Sequence, residues 1–270
     1  MSKQAAFLKL KGISKTFPGV KALDNVQLEL VEGEVHALMG ENGAGKSTLI
    51  KILAGVYDAD EGGGIYLDGK QVHFRNPLDA LQHGIAVIYQ DLSLFTNLTV
   101  AENITFGTQM VLGAFRRVDW KSLKREAQET LDKLGMDLDL NQQLGDLSIA
   151  KQQMVAIARA LRAKARLIIM DEPTSSLSSS EIELLYNIVE TLKQQNIAVL
   201  FISHKFQEVF KVADRVTVLR DGQYISTDSI TDINEDLLVQ KMVGRSILFE
   251  PLNEQSEARD EYVLEVKNLS

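Results

Sequence analysis

The stretch "GENGAGKST" at 40–48 gathers three glycines, one lysine and two hydroxyl side chains into nine positions. It fits G-x-x-x-x-G-K-[ST], in which backbone N–H groups wrap phosphates, the lysine reaches the β and γ groups, and the next hydroxyl binds Mg²⁺. On this reading Gly40, Asn42, Gly43, Gly45, Lys46, Ser47 and Thr48 hold the phosphates, and Ser47 also touches the metal. Such a loop needs a carboxylate on the metal side and a group that positions the attacking water. "RLIIMDEPTSSLS" supplies both. Asp171 ends an apolar run at the carboxyl edge where open α/β sheets bind ligands, and can hold Mg²⁺ through water. Glu172, beside it, is placed to act as general base on a water molecule. "VLFISHK" puts His204 at the end of another apolar run, on the same sheet edge, in the role of a γ-phosphate sensor.

The elements that must carry these residues are legible in the periodicity. "VHALM" before the loop reads as a buried strand, and 48–53 after it as the opening of a helix ended by Gly55. The loop therefore sits at a helix N-terminus, where the dipole favours anions. The runs "IAVIY", "RLIIM", "IAVLFI" and "RVTVLR" alternate with helical patterns and predict a mostly parallel sheet with crossover helices. "FLKLKGI", "VQLEL" and "GGIYLDGK" predict an antiparallel β layer beside it, the last two with the alternation of half-exposed strands. Residues 97–163, with "WKSLKREAQETLDKLG" and "IAKQQMVAIARALRAKA", read as a helical insertion. The expected class is α/β, a P-loop NTPase (RecA-like) core with an antiparallel β subdomain and a helical insertion.

The loop at 40–48, "YQD" with Gln90, "LSIAKQQMVAIARAL" at 147–161, "LIIMDEPTSSLS" at 167–178 and "FISHK" at 201–205 follow one another in order and spacing. In this the chain resembles the ATP-binding subunits of ABC transporters over essentially its whole length. The resemblance implies ATP and Mg²⁺ as ligands, with Gln90 touching Mg²⁺ and reporting to the membrane subunits. It also implies that Phe17, in "SKTFPGVKAL", stacks on adenine, although the residue alone fits a core aromatic beneath the β layer equally well. In that family two domains meet head to tail, and each ATP lies between one phosphate loop and the other domain's LSGGQ-type signature. This chain departs from the pattern there. Leu147, Ser148, Ile149, Ala150 and Lys151 stand in place of the signature, so both glycines that let backbone approach phosphate are gone. The bulk of Ile149 is expected to weaken the contact. Ser178 also replaces the usual aspartate after "SSL". With the stretch from Pro18 to Tyr57, these features resemble the monosaccharide-import subgroup, the ribose, galactose and xylose type. That implies ATP hydrolysis driving sugar import through transmembrane permease subunits, fed by a periplasmic or extracellular sugar-binding protein, from the cytoplasmic face of the membrane. The alternative is a soluble tandem ABC ATPase acting on ribosomes or nucleic acid.

Composition narrows the field. The 29 Lys and Arg against 37 Asp and Glu give a net charge of −8, which argues against a broad nucleic-acid surface. No nucleic-acid partner is expected. Without cysteine there is neither a disulfide framework nor a thiolate zinc site. The opening "MSKQAAFLKLKG" lacks the apolar core of a secretory leader, and the longest apolar runs fall far short of the roughly 18 residues that cross a bilayer. At the other end "VLEVKNLS" echoes "FLKLKGIS", with Leu264 on Leu8, Lys267 on Lys11 and Ser270 on Ser14, after the polar stretch "EPLNEQSEARDE". The expected organisation is a nucleotide-binding domain over 1–245, a linker over 246–261, and the start of a second ABC domain over 262–270.

Overall fold

The computed structural model describes residues 6–106 and 119–244. The linker and repeat expected over 246–270, and residues 107–118 of the helical insertion, lie outside the described residues.

Strands β1 (Leu8–Phe17) and β2 (Val20–Leu30) form an antiparallel hairpin around Pro18 and Gly19. On β2 the apolar residues Val26, Leu28 and Leu30 are buried while Gln27 and Glu29 are exposed, the period of two that a one-sided strand requires. Strand β3 (Val35–Met39) is buried throughout and runs through the loop into helix α1 (Lys46–Leu53). Strands β4 (Gly64–Leu67) and β5 (Lys70–Val72) complete the antiparallel layer on the far side of β1. Helix α2 (Pro77–Gln82), capped by Asn76, leads into β6 (Ile85–Ile88). The insertion supplies α3 (Val100–Thr105), α4 (Trp120–Lys133) and α5 (Ile149–Arg162). The chain then alternates through β7 (Leu167–Asp171), α6 (Ser179–Gln194), β8 (Ala198–Ile202), α7 (Phe206–Val212) and β9 (Arg215–Arg220). Strand β10 (Gln223–Ser229) and α8 (Glu235–Val243) close the described part.

The sheet order is β5-β4-β1-β2-β10-β9-β3-β8-β7-β6. Strands β9, β3, β8, β7 and β6 are mutually parallel, whereas β10 is antiparallel to β9 and meets β2 at the single pair Gln223–Asp24. Helices cover both faces of the parallel part, so its strands carry apolar side chains on both sides. Val35, Ala37 and Met39 of β3 join the core beneath the inserted helices and α6, while Leu38 joins the core shared with α1 and the antiparallel layer.

This is the α/β architecture that the periodicity predicts, with three local differences. Helix α1 starts at Lys46 rather than Thr48, because Gly45 at φ 98° caps it in a left-handed conformation and leaves Lys46 and Ser47 in the first turn. The first hairpin is longer than "FLKLKGI" and "VQLEL" suggest. Register shifts between Leu10 and Thr16 break the alternation while the ladder continues. Strand β10, "QYISTDS", is polar and mostly half-buried, so it carries no period-two signal.

Candidate functional site

The loop links the carboxyl end of β3 to the first turn of α1, and its conformation is enforced by close packing. A Cβ on Gly40 would lie 2.3 Å from the Leu219 carbonyl oxygen of β9, and one on Gly45 would lie 2.6 Å from the Ala22 carbonyl oxygen of β2. Only glycine fits either position. The Lys46 ammonium folds back over the loop, donating to the carbonyls of Gly40 (2.7 Å) and Glu41 (3.0 Å). Its burial lowers its pKa, while the carboxylates of Glu172 and Asp171 pull the other way. Above it opens a cavity of about 330 Å³, lined by Asn42, Gly43, Gly45, Lys46, Ser47, Thr48, Asp171, Glu172 and Phe17.

The carboxylate pair comes from the end of β7. Burial pushes the Asp171 carboxyl above its ordinary value and Glu172 adds to this, against the pull of Lys46 and Lys51. Glu172 has φ 48°, a left-handed conformation that costs a residue with a Cβ about 1–2 kcal/mol. Its backbone N–H holds that turn by donating to the Ile202 carbonyl at 3.0 Å. The strain aims the side chain across to the next strand end, where His204 Nδ1 lies 3.2 Å from Glu172 Oε1. With Nδ1–H as the donor, Nε2 remains available to another group.

Phe17 stands at the tip of the first hairpin, half-buried, on the cavity wall and edge-to-face with Tyr57 at 5.3 Å between ring centroids. It is not a core residue beneath the β layer. Gln90 lies two residues beyond β6, exposed and off the cavity wall. His204 does not line the cavity either, and reaches it through Glu172. Ser148 caps α5, its hydroxyl accepting from Lys151 N–H and donating to Glu181 Oε1, each at 3.4 Å. Ala150 is buried, while Ile149 projects with 53% of its surface exposed. None of Leu147 to Lys151 lines the cavity beside Lys46. The sequence reading passes over Lys51, whose charge reaches Asp171 from one turn along α1 and which otherwise reads as a solvated helix lysine.

The chemistry of this pocket suits magnesium and a polyphosphate. A glycine cradle, a half-buried ammonium and the Ser47 hydroxyl face a partly buried carboxylate that a divalent cation would keep ionised. Among the described residues no cluster of three or more His, Asp or Glu could hold a metal by itself. Mg²⁺ bound here would depend on phosphate oxygens and water for most of its ligands, as it usually does.

Comparison with known proteins agrees with this geometry. The sequence profile described as ABC transporter matches residues 23–175. The xylose import ATP-binding protein XylG of Geobacillus kaustophilus (strain HTA426) is 48% identical over 245 residues, covering 90% of this chain and 48% of that protein. The ribose import ATP-binding protein RbsA of Jannaschia sp. (strain CCS1) is 52% identical over 240 residues, covering 89% of this chain and 46% of that protein. The chain thus spans about half the length of the curated relatives it matches. Among solved structures, the ADP conformation of MJ1267, an ATP-binding cassette of an ABC transporter, aligns with a TM-score of 0.77 at 27% identity, covering 90% of this chain and all of that one. The dimeric structure of MJ0796, a bacterial ABC transporter cassette, aligns with a TM-score of 0.69 at 26% identity, covering 83% of this chain and 98% of that one. A chain whose profile match runs from β2 through the phosphate loop to Ser175, and whose fold follows solved ATP-binding cassettes over most of its length, belongs to the ABC transporter family.

Proposed function

We propose that this chain is the ATP-hydrolysing cassette of a monosaccharide importer, bound peripherally to permease subunits at the cytoplasmic face of the membrane. The observation that carries the reading is the shared cavity, in which the phosphate loop faces Asp171 and Glu172, with the latter in contact with His204. The identity to ribose and xylose import ATP-binding proteins supports the choice of cargo class. Phe17 would stack on the adenine at the cavity rim, and the loop amides with Lys46 would bind the phosphates. Ser47, and Asp171 through water, would hold Mg²⁺, whose charge would favour phosphate binding here, with Gln90 approaching it from beyond the cavity wall. Glu172 takes a proton from the attacking water as the new bond to γ-phosphorus forms and the bond to the β-bridging oxygen breaks. His204 orients Glu172 through Nδ1 and offers Nε2 to the γ-phosphate.

The partners follow from the same reading. A second cassette, in the half of the longer relatives that this chain does not span, would supply the signature facing Lys46. The exposed rings of Phe95 and Phe106, with centroids 4.4 Å apart, would offer the permease an apolar contact. A sugar-binding protein outside the membrane would deliver the cargo. In the described residues no helix is long and apolar enough to cross a membrane, so the path for the sugar would belong to the permease. The test is Glu172→Gln in the full-length protein, which should retain ATP binding while hydrolysis falls by about 10²-fold or more, the usual worth of a positioned base. Turnover within a few-fold of the parent would reject the assignment.

A further inference from the structure

Glu208, on α7, is a carboxylate with only 6% of its surface exposed, and it lies outside the cavity. Its two oxygens reach two different segments. Oε1 accepts from the Thr174 hydroxyl at 2.6 Å and Oε2 from the Ser203 hydroxyl at 2.7 Å. Thr174 follows Glu172 by two positions, across the stiff Pro173, and Ser203 immediately precedes His204. Both hydroxyl residues are themselves buried, with 3% exposure each. Lys205 N–H donates to Ser203 Oγ at 3.0 Å, which commits the Ser203 proton to Glu208, and the Lys205 ammonium lies 3.0 Å from Oε1.

We propose that Glu208 is a positioning residue that sets the spacing of Glu172 and His204 by tying together the two segments that carry them. A buried carboxylate is costly, and an apolar side chain would fill the same space without that cost. What an apolar residue lacks is the ability to accept from two hydroxyls on separate strand ends at once. Glu172 needs such a restraint, since its backbone sits in a strained conformation that the surroundings must hold. The Ile202 carbonyl holds its main chain, and the Glu208 bridge holds the segment after it against the residue before His204. A shift of about 1 Å at a catalytic group can cost on the order of 10²-fold in rate.

The inference rests on the reading of Glu172 and His204 as the hydrolytic pair, so Glu172→Gln is measured alongside. In the full-length protein, Glu208→Ala should lower kcat by about 10- to 100-fold. ATP affinity, read by direct titration, should stay at the parent value, because the bonds of Glu208 do not involve the phosphate loop. Glu208→Gln, isosteric but with one accepting oxygen, can accept from only one of the two hydroxyls and should also lower kcat at unchanged ATP affinity. If Glu208→Ala fails to fold, Thr174→Val removes one arm of the bridge at nearly constant volume and should show the same split between kcat and affinity. A folded Glu208→Ala or Thr174→Val protein with parental kcat overturns the proposal. So does loss of kcat together with ATP affinity, or a Glu208→Gln protein with parental kcat. Active Glu172→Gln protein would instead sink the hydrolytic reading, whereas inactive Glu172→Gln beside fully active Glu208→Ala would sink the bridge alone.

Discussion

At Glu172 one side chain combines backbone strain, a histidine partner and a place on the cavity wall. The strain is separable from the chemistry by substitution. Glu172→Gly and Glu172→Ala both remove the carboxylate, but glycine accepts a left-handed φ freely. The glycine variant should therefore be more stable than the alanine variant by about 1 kcal/mol in a urea titration. Equal stabilities would mean that the turn relaxes once the carboxylate is gone. Lys46 is tested through binding. Its ammonium donates to two loop carbonyls, and Lys46→Ala removes, among the described residues, the only lysine on the cavity wall. Loss of a charge-assisted contact worth about 1.5–3 kcal/mol predicts a 10- to 100-fold weaker ATP affinity by calorimetry. Unchanged affinity would remove Lys46 from the phosphate site.

At the scale of elements, the inserted helices and the β sheet rest on partly or wholly buried polar devices that denaturation can probe. Thr99 caps α3 reciprocally with Glu102: the Thr99 hydroxyl accepts from Glu102 N–H at 3.3 Å, and the Glu102 carboxylate accepts from Thr99 N–H at 2.7 Å. Thr99→Ala should cost about 1 kcal/mol of stability, measured by the urea midpoint at constant slope. Within the sheet, His36 of β3 is wholly buried. Its Nδ1 contacts Glu34 at 3.1 Å and its Nε2 contacts Thr217 of β9 at 2.7 Å, and Thr217 in turn bonds Thr227 of β10 at 2.7 Å. Burial lowers its pKa and Arg215 adds to this, while Glu34 and Asp214 oppose the shift. The folded state thus resists a proton that the unfolded chain takes up near the ordinary value of 6.5. His36 contributes no pH dependence well above that value. As the pH falls from 6.5 toward the depressed folded value, stability should drop by up to about 1.4 kcal/mol per pH unit. His36→Gln should flatten the stability profile in that window, and an unchanged slope would show that His36 does not carry it.

For the whole molecule, the proposed two-cassette assembly would be unequal because of the departure at the signature. Ile149 projects from the first turn of α5 at the place where the signature glycines of the family stand, and the Ser148 hydroxyl is engaged by Glu181 of its own chain. Glu181 is held ionised by the Ser178 N–H and hydroxyl, so a carboxylate lies beside the serine expected to meet a partner's γ-phosphate. The site completed by this signature should hydrolyse weakly, and the site built on Lys46, Glu172 and His204 should carry most of the turnover. In the full-length protein Glu172→Gln should abolish nearly all hydrolysis, whereas Ser148→Arg should cost comparatively little in a steady-state ATPase assay. Equal losses would mean that both sites share the work.

The sequence alone determined which functional-type side chains stand together where they are neighbours in the chain. The spacing within 40–48 reads as a phosphate loop, because the glycines, the lysine and the hydroxyls lie within one turn between a strand and a helix. Asp171 and Glu172 were legible for the same reason, being adjacent at the end of an apolar run, and the buried strands were legible because parallel strands covered on both faces must be apolar throughout. The tertiary structure decided what depends on distant segments. Register shifts in the first hairpin hide its length in the sequence, and they carry Phe17 out of the core to the cavity rim. Pairing of β7 with β8 brings Glu172 to His204, 32 positions along the chain. The same pairing makes an ordinary-looking glutamate on α7 the bridge between their segments. Local spacing encodes what one turn of backbone can do, whereas contacts between strand ends exist only after the sheet has formed, when burial and register set which polar groups meet.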